Sequence, residues 1–327
     1  MTETAWIEIG IGETRAIVVA DGAIVEAHIE RDGDGWRAGD VREVRLTTIL
    51  VPGVRGIVAA GGVEGLLSPL PTRLTEGITL HITVVREALI EAGRRKLAKV
   101  VATTDAVRAG PALSGRLRSR GLGVRDVPRR GCDVFEDAGW SESVEAALSG
   151  RIAFAGGSLT ISPTPAMTVI DVDGDLPPAD LALAAADAVG AVVRRFDLTG
   201  SIGVDFPTVG DKAVRTAIGA RLDAALPPPF ERTAINGFGF AQIVRPRHRP
   251  SFIETLQGDR VATAALRLLR SAEHEPGSCV LVAAPQVAAL LAERAPLIAD
   301  LARRRGGTVD LRADAAIAIA GGYAEPR

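Results

Sequence analysis

Three aspartates at alternate positions end an apolar stretch near the middle of the chain. The stretch reads VIDVDGD at residues 169–175, and its aspartates are Asp171, Asp173 and Asp175. Alternate residues of an extended strand point to the same side, so these like charges gather at one strand end. They repel one another unless a cation or a basic group neutralises them. The pattern therefore indicates a carboxylate cluster that could hold a cation.

A second predicted strand also ends in an aspartate. Residues 178–196 predict an alanine-rich helix, and residues 201–206 predict the strand that carries Asp205. Strand, helix and strand in this order are typical of a βαβ unit, whose parallel strands end at the same edge of the sheet. We therefore expect Asp171 and Asp205 to lie close together.

Magnesium suits two carboxylates at such an edge. It binds one or two carboxylates, keeps several waters and completes its shell with phosphate oxygens. The ion could activate a water molecule and neutralise charge that develops on a phosphate. The alternative is that both aspartates are ordinary turn or cap residues at strand ends. A calcium loop fits less well, because the stretch lacks the remaining spaced oxygen ligands.

Two basic segments offer cations to a phosphate backbone. The first follows a predicted glycine-interrupted strand at residues 233–244, and its basic side chains are Arg245, Arg247, His248 and Arg249. They indicate either a phosphate track or a charged edge that discourages pairing between sheets. The second, residues 104–130, predicts an arginine-rich loop that is either a solvated surface or a further phosphate contact.

Short alternating apolar runs predict strands elsewhere in the chain. Three N-terminal strands are predicted at residues 6–9, 15–19 and 23–29. Five short strands between residues 41 and 101 predict a small OB-type barrel or, equally, a small β-sandwich. A short helix is expected to begin at a Ser141 cap. The C-terminal region alternates helices and strands, with a last strand predicted at residues 315–320.

Composition limits the classes of protein that this chain can belong to. Its 327 residues suggest two or three domains, and 47% apolar residues suffice for buried cores. No run of 18 apolar residues predicts a membrane span, and the acidic N-terminus does not predict a secretory signal. Only two cysteines, Cys132 and Cys279, are present, so a reducing cytoplasmic location is expected. With a net charge of −2, any contact with nucleic acid must come from local basic patches.

Three segments together resemble the ribonuclease E/G family. GGSLTISPTPAMTVIDVD at 156–173 is similar to a glycine hairpin and a strand that ends in a metal-ligand aspartate. LTGSIGVDF at 198–206 is similar to the strand with the second ligand aspartate, and AINGFGFAQIVRPRHRPSF at 234–252 to the strand and basic run that follow. The segments occur in the order and spacing of the family, and the likeness covers most of the chain.

The resemblance implies a mixed α+β and α/β fold. It implies N-terminal strands from an RNase H-like layer at 1–38, an OB-like RNA-binding insert at 39–103 and a reduced connecting region at 104–150. A DNase I-like catalytic domain at 151–258 and a small C-terminal α/β segment at 259–327 would follow. The insert at 39–103 would bind single-stranded RNA.

The resemblance also implies a function. Asp171 and Asp205 match the two magnesium ligands of a metal-dependent endoribonuclease, which cleaves single-stranded RNA with a metal-activated water and leaves 5′-phosphate ends. Manganese is an alternative metal. Asp173 stands where the family has a catalytic asparagine, and Arg245, Arg247, His248 and Arg249 match its basic run, so they are expected to contact RNA.

Four departures favour an alternative, a catalytically impaired RNA-binding or regulatory relative. Asp173 cannot donate a hydrogen bond when ionised. Ile57 and Leu66 stand where the family stacks RNA bases on phenylalanines. The segment that holds the family's pocket for a 5′-monophosphate is largely missing, and residues 251–277 contain no cysteine for its zinc link. We expect no structural zinc, no zinc-linked oligomer and no membrane partner, and no other oligomeric state is predicted.

Overall fold

The computed structural model of the protein describes residues 3–33, 35–91, 94–127 and 133–327. Within these ranges the chain has a mixed α+β fold, as predicted, with a closed five-stranded β-barrel and several helices. None of the helices in the described part of the chain combines the length and the apolar character needed to cross a membrane.

The N-terminal residues form an antiparallel sheet, which confirms the three predicted strands. The strands are β1 (Thr4–Ile9), β2 (Glu13–Ala20) and β3 (Ala23–Arg31). The turn between β2 and β3 is made by Asp21 and Gly22, which both have positive φ angles, as two-residue hairpin turns require.

The barrel follows and is built from short alternating strands. Its chain segment contains β4 (Val41–Val51), β5 (Arg55–Ala60), β6 (Val63–Leu67), β7 (Thr79–Arg86), β8 (Leu89–Glu91), β9 (Arg94–Lys96) and β10 (Ala98–Ala102). The barrel order is β10-β6-β5-β4-β7, and only the β10–β6 pair among these is parallel. Closure pairs every strand on both sides, while Leu46, Val58 and Ile82 fill the interior.

The connecting region contains more regular structure than the sequence predicts. Its elements are α1 (Leu113–Ser119), β11 (Gly123–Asp126), α2 (Val134–Asp137) and α3 (Trp140–Ser149). The predicted loop at 104–130 is therefore wrong at α1 and β11, because Leu113 and Leu117, one helical turn apart, pack into a core with β1 and β2. The predicted Ser141 cap is also wrong, since Gly139 caps α3 with left-handed backbone angles.

A six-stranded sheet positions the aspartates. Its region contains β12 (Arg151–Phe154), β13 (Gly157–Pro163), β14 (Thr168–Gly174), α4 (Pro178–Arg195), β15 (Gly200–Asp205), α5 (Lys212–Ala225), β16 (Glu231–Arg232), β17 (Phe240–Arg245) and α6 (Phe252–Gly258). The sheet order is β12-β13-β14-β15-β17-β16. The predicted βαβ unit is confirmed, because β14 and β15 are parallel and α4 connects them. The glycine-interrupted strand predicted at 233–244 is confirmed over residues 240–244, which lie in β17, and is wrong over residues 233–239, where the chain turns at Asn236.

One face of this sheet is packed and the other is open. Buried side chains of α4, such as Leu181, Val189 and Val193, form a hydrophobic cluster with Ile170 of β14 and Ile202 of β15. Buried residues of β2 and β3 belong to the same cluster. Each fully buried aliphatic side chain contributes roughly 1.5–3 kcal/mol. The N-terminal strands thus share a core with the sheet that carries the aspartates.

The C-terminal residues form a small sheet with helices. Its elements are α7 (Arg260–Glu273), β18 (Cys279–Ala283), α8 (Pro285–Glu293), α9 (Ala295–Arg305), β19 (Val309–Ala313) and β20 (Tyr323–Pro326). The strand predicted at 315–320 is wrong, because the Asp314 carboxylate accepts the Ala316 N–H at 2.8 Å and starts a turn. Cys279 is fully buried, and Cys132 lies outside the described residues.

Candidate functional site

Asp171 and Asp205 are direct Cα partners across the parallel pair of β14 and β15. Neighbouring strands lie about 4.8 Å apart, and partners in register point to the same face of a sheet. Because Ile170 and Val204 are buried on the α4 side, both aspartates point to the opposite face, where they are exposed. The structure therefore brings together the two carboxylates that the sequence selected.

Asp173 lies on the same face but farther from Asp205. It is two residues beyond Asp171 on β14, which corresponds to about 6.6 Å along the strand. Its register partner is Ser158 of β13, whereas Asp171 is opposite Thr160. Asp173 therefore flanks the pair of aspartates and does not stand in register with it.

The carboxylates of Asp171, Asp173 and Asp205 have no counter-ion among the residues that the structure describes. Within the described ranges, none of them takes part in a hydrogen bond or an ion pair with another residue. Other acidic groups behave differently: Glu8 and Glu13 both pair with the buried Arg15 at 2.7 Å. Since like charges in register repel each other, an external cation would stabilise this edge of the sheet.

The surrounding donor set fits a hard cation such as magnesium. Thr160, Ser158 and the amide of Gln242 add oxygen atoms to the open face, and Gln242 donates a hydrogen bond to Ser201 at 2.8 Å. Magnesium needs only one or two carboxylates when waters and phosphate complete its shell. In the part of the chain that the structure describes, no group of three or more His, Cys, Asp or Glu side chains is placed to hold a metal. Asp171 and Asp205, with these neutral oxygen atoms, are the donors that a two-carboxylate site open to a phosphate ligand would use.

An exposed aromatic side chain, which its position in the sequence did not indicate, belongs to the turn that leads into β17. Phe238 is 82% exposed at the turn between β16 and β17. The turn is held by the Asn236 side chain, whose Oδ1 accepts the N–H groups of Phe238 at 2.9 Å and Phe240 at 3.1 Å. The Thr208 hydroxyl donates to the Phe238 carbonyl at 3.2 Å and ties the turn to the loop after Asp205. The exposed ring is therefore presented by a fixed turn.

Phe240 brings a second aromatic ring to the same face. It is the register partner of Asp205 on β17, and its ring lies over Gly203. A side chain at Gly203 would meet that ring, with a Cβ only 2.8 Å from the Phe240 Cζ. The asparagine and the glycines at 236–239 could have indicated a turn. Their spacing does not show that the turn lies at the same edge of the sheet as Asp205.

The basic run lies at the other end of the sheet. Arg245 is the register partner of Gly200, five residues before Asp205, so about 16 Å of strand separates the two ends. Arg247 pairs with Glu254 of α6 at 2.5 Å, and His248 Nδ1 lies 3.0 Å from the Val85 carbonyl of the barrel. Arg249 Nε is 3.9 Å from a carboxylate oxygen of Glu87. The structure does not bring these residues to the two aspartates.

Two arginines of the predicted basic loop, Arg116 and Arg120, also make internal ion pairs. Arg116 contacts Glu30 at 2.7 Å, and Arg120 contacts Glu26 with both terminal nitrogens. Burial alone would raise the pKa of Glu26, but hydrogen bonds from His28 and Arg120 outweigh it and hold that pKa well below its usual range. Arg129 and Arg130, also part of the predicted basic loop, lie outside the described residues.

Comparison with protein-family models finds no match to this chain. Comparison with curated proteins finds no significant relative.

Proposed function

We propose that this protein is a magnesium-dependent endoribonuclease that cleaves single-stranded RNA and leaves 5′-phosphate ends, as a shortened relative of the ribonuclease E/G family. The observation that carries the proposal is the register pairing of Asp171 with Asp205 on an open sheet face. Both carboxylates are exposed, and neither has a counter-ion among the described residues. A structural aspartate pair would normally be neutralised within the protein.

In this proposal Asp171 and Asp205 hold the magnesium ion. When bound, the ion would lower the pKa of a coordinated water and neutralise charge on the scissile phosphate. The open face lets an RNA phosphate approach the two carboxylates from solvent. Asp173 places a further negative charge beside that phosphate, which opposes its approach and lowers turnover.

Phe238 and Phe240 provide apolar surface for the bases next to the scissile phosphate. A nucleobase that stacks on an aromatic ring gains roughly 1–3 kcal/mol, whatever the base. Leaving a phenylalanine exposed forgoes a similar amount of burial energy, about 1.5–3 kcal/mol. The fixed turn that exposes Phe238 is therefore consistent with a ligand-binding role for the ring.

The barrel supports RNA binding through its strand order. We assign it to the OB type, whose second and third strands form the face that binds oligonucleotides. The second and third strands here are β5 and β6, where Ile57 and Leu66 are half-exposed register partners. Aliphatic side chains bury bases less well than aromatic rings, so this face should bind RNA weakly.

Cleavage of labelled single-stranded RNA during a magnesium titration tests the proposal. Asp171→Asn and Asp205→Asn should abolish cleavage, because each removes a ligand. Asp173→Asn should raise it, because the amide restores a hydrogen-bond donor and removes a repulsive charge, an effect worth up to about 3–4 kcal/mol in the activation barrier. Asp175→Asn is the matched control, since it removes a nearby charge outside the register pair.

A catalytically impaired RNA-binding relative is the second candidate, and the carboxylate at Asp173 is the observation that favours it. If the wild type and all variants are inert on several RNAs with magnesium or manganese, while RNA still binds, this second candidate replaces the first. If Asp173→Asn reduces cleavage as far as the ligand variants do, Asp173 is a third ligand.

A further inference from the structure

A cleft of about 440 Å³ opens at the amino end of β15, opposite to the aspartate pair. Its walls come from β3, α1, the end of α4, the basic run after β17 and the three prolines at 227–229. Ligand pockets typically have volumes of about 300–1,000 Å³, so the cleft has room for a ligand of the size of a nucleotide. The cleft joins segments that are far apart in the sequence.

Positive charge exceeds negative charge in this cleft. Five arginines line it, against two carboxylates, Glu26 and Asp197. Glu26 is already paired with other arginines, because Arg120 contacts it at 2.6 Å and Arg194 at 3.1 Å. On the other wall, Arg249 has a long ion pair, with its Nε 3.9 Å from Glu87, and Arg245 has no ion pair with any described residue.

Arg245 carries the charge that no close carboxylate matches, while Arg249 adds a guanidinium whose ion pair with Glu87 is 3.9 Å long. Arg245 makes no ion pair with any described residue, and its one hydrogen bond goes from Nη1 to the Leu198 carbonyl at 2.5 Å. Its Nε is buried without a hydrogen-bond partner among the described residues, as is the Nε of Arg249. Burial lowers the pKa of both guanidinium groups, because the surrounding carboxylates do not offset the loss of solvent.

Thr199 adds a neutral donor at the same place. Its hydroxyl is buried and has no hydrogen-bond partner in the described part of the chain. Thr199 directly precedes β15, and Gly200 is the register partner of Arg245. Buried polar groups are normally satisfied, so unpaired donors lining one cleft indicate a missing acceptor.

We propose that this cleft binds a phosphate group, which Arg245 and Arg249 hold with help from Thr199. A phosphate offers several oxygen acceptors and up to two negative charges, and guanidinium groups match it with paired hydrogen bonds. Pro228 and its neighbours supply an apolar wall for the remainder of the ligand, such as a sugar or a base. The site lies about 16 Å of strand away from Asp205 and does not depend on the proposed nuclease reaction.

Calorimetric titration of the metal-free protein in EDTA tests the proposal with inorganic phosphate and with adenosine monophosphate. Chloride keeps the ionic strength constant. Saturable binding of both is expected, and Arg245→Met and Arg249→Gln should each weaken it about tenfold, which corresponds to about 1.4 kcal/mol. Arg245→Lys should restore part of the affinity, since it keeps the charge. Arg221→Gln is the matched control, because that exposed arginine pairs with Asp187 on α4, outside the cleft.

A competition experiment identifies the source of the phosphate and separates this site from the nuclease site. A single-stranded RNA with a 5′-hydroxyl end is added to the phosphate-bound Asp171→Asn variant. If RNA displaces the phosphate, the cleft binds phosphates of the RNA backbone. If RNA binds without displacing it, the cleft binds small phosphorylated ligands. Both results support a phosphate site. Circular dichroism establishes that each variant is folded.

Binding that does not exceed the effect of chloride would overturn the proposal. So would binding that folded Arg245→Met and Arg249→Gln variants retain in full. Loss of RNA cleavage in the aspartate variants has no bearing on this result, because the titration needs neither the metal nor turnover.

Discussion

Asp205→Asn should make the metal-free protein more stable while it removes the response to magnesium. Asp171 and Asp205 are register partners, so their charges lie about 4.8 Å apart if the side chains run parallel. Coulomb's law gives a repulsion of about 0.9 kcal/mol in water and about 3.5 kcal/mol at an effective dielectric constant of 20. Both groups are exposed, so we expect a gain close to the lower value.

Thermal unfolding in EDTA and in magnesium measures both effects. A gain of about 1 kcal/mol should raise the melting temperature of metal-free Asp205→Asn by roughly 2 °C. Magnesium at ten times its dissociation constant should stabilise the wild type by about 1.4 kcal/mol and leave the variant unchanged. The same pair of results is expected for Asp171→Asn, because it removes the other member of the pair.

Asp175→Asn serves as the control, since it removes one exposed negative charge beyond the end of β14. It should keep the magnesium response of the wild type. The reasoning would be refuted if Asp205→Asn lowered the melting temperature in EDTA, or if it kept the full magnesium shift. Either result would mean that the two carboxylates are not a repelling pair that a cation neutralises.

The remaining predictions concern RNA binding and stability in acid. Phe238→Ala should weaken binding of single-stranded RNA in EDTA about tenfold, since one stacked base is worth roughly 1–3 kcal/mol. Val244→Ala, on the same face, is the control and should leave the affinity unchanged. If fluorescence anisotropy gives Phe238→Ala the same RNA affinity as the wild type, Phe238 does not stack on a base. Arg247→Ala should leave the log–log slope of RNA affinity against salt unchanged, because its charge is already paired within the protein, whereas an arginine on a phosphate should change that slope by about 1. Glu26→Gln should cost roughly 3 kcal/mol at neutral pH, because it leaves cations without a buried partner. The pKa of Glu26 is lower in the folded protein than in the unfolded chain, where it is about 4.3. Its contribution to the free energy of unfolding is therefore complete above about pH 4.3 and is lost as the pH falls toward the pKa of the folded state. Melting temperatures of the wild type and Glu26→Gln should therefore converge below about pH 4, and a constant difference down to pH 2 would contradict the role of the ionised group.

Sequence periodicity determined the identity of most strands and helices. Short apolar or alternating runs of residues predict a strand and place its ends to within a few positions. The strands β2, β14 and β15 could therefore be located from the local pattern alone. The strand–helix–strand order also fixed the parallel pairing of β14 with β15, because the connection through α4 leaves no room for a hairpin. That is why Asp171 and Asp205 could be placed at one sheet edge.

Local pattern failed where a side chain and the backbone compete for the same hydrogen bonds. Asn236 and Asp314 both accept backbone N–H groups of nearby residues, and they turn the chain where apolar composition predicts a strand. The helix α1 was missed for a different reason. Its arginines are typical of a polar loop, and only two buried leucines, Leu113 and Leu117, hold it to the sheet.

The tertiary structure decided which charges are free and which are paired. The sequence grouped Arg245, Arg247 and Arg249 as one basic run, but only packing against α6 gives Arg247 the carboxylate of Glu254. Packing also places Thr199 beside Arg245, and it leaves Phe238 exposed on a fixed turn. The physical reason is that residue spacing determines which side of a helix or strand a side chain faces. The residues that the side chain contacts there belong to elements that are distant in sequence.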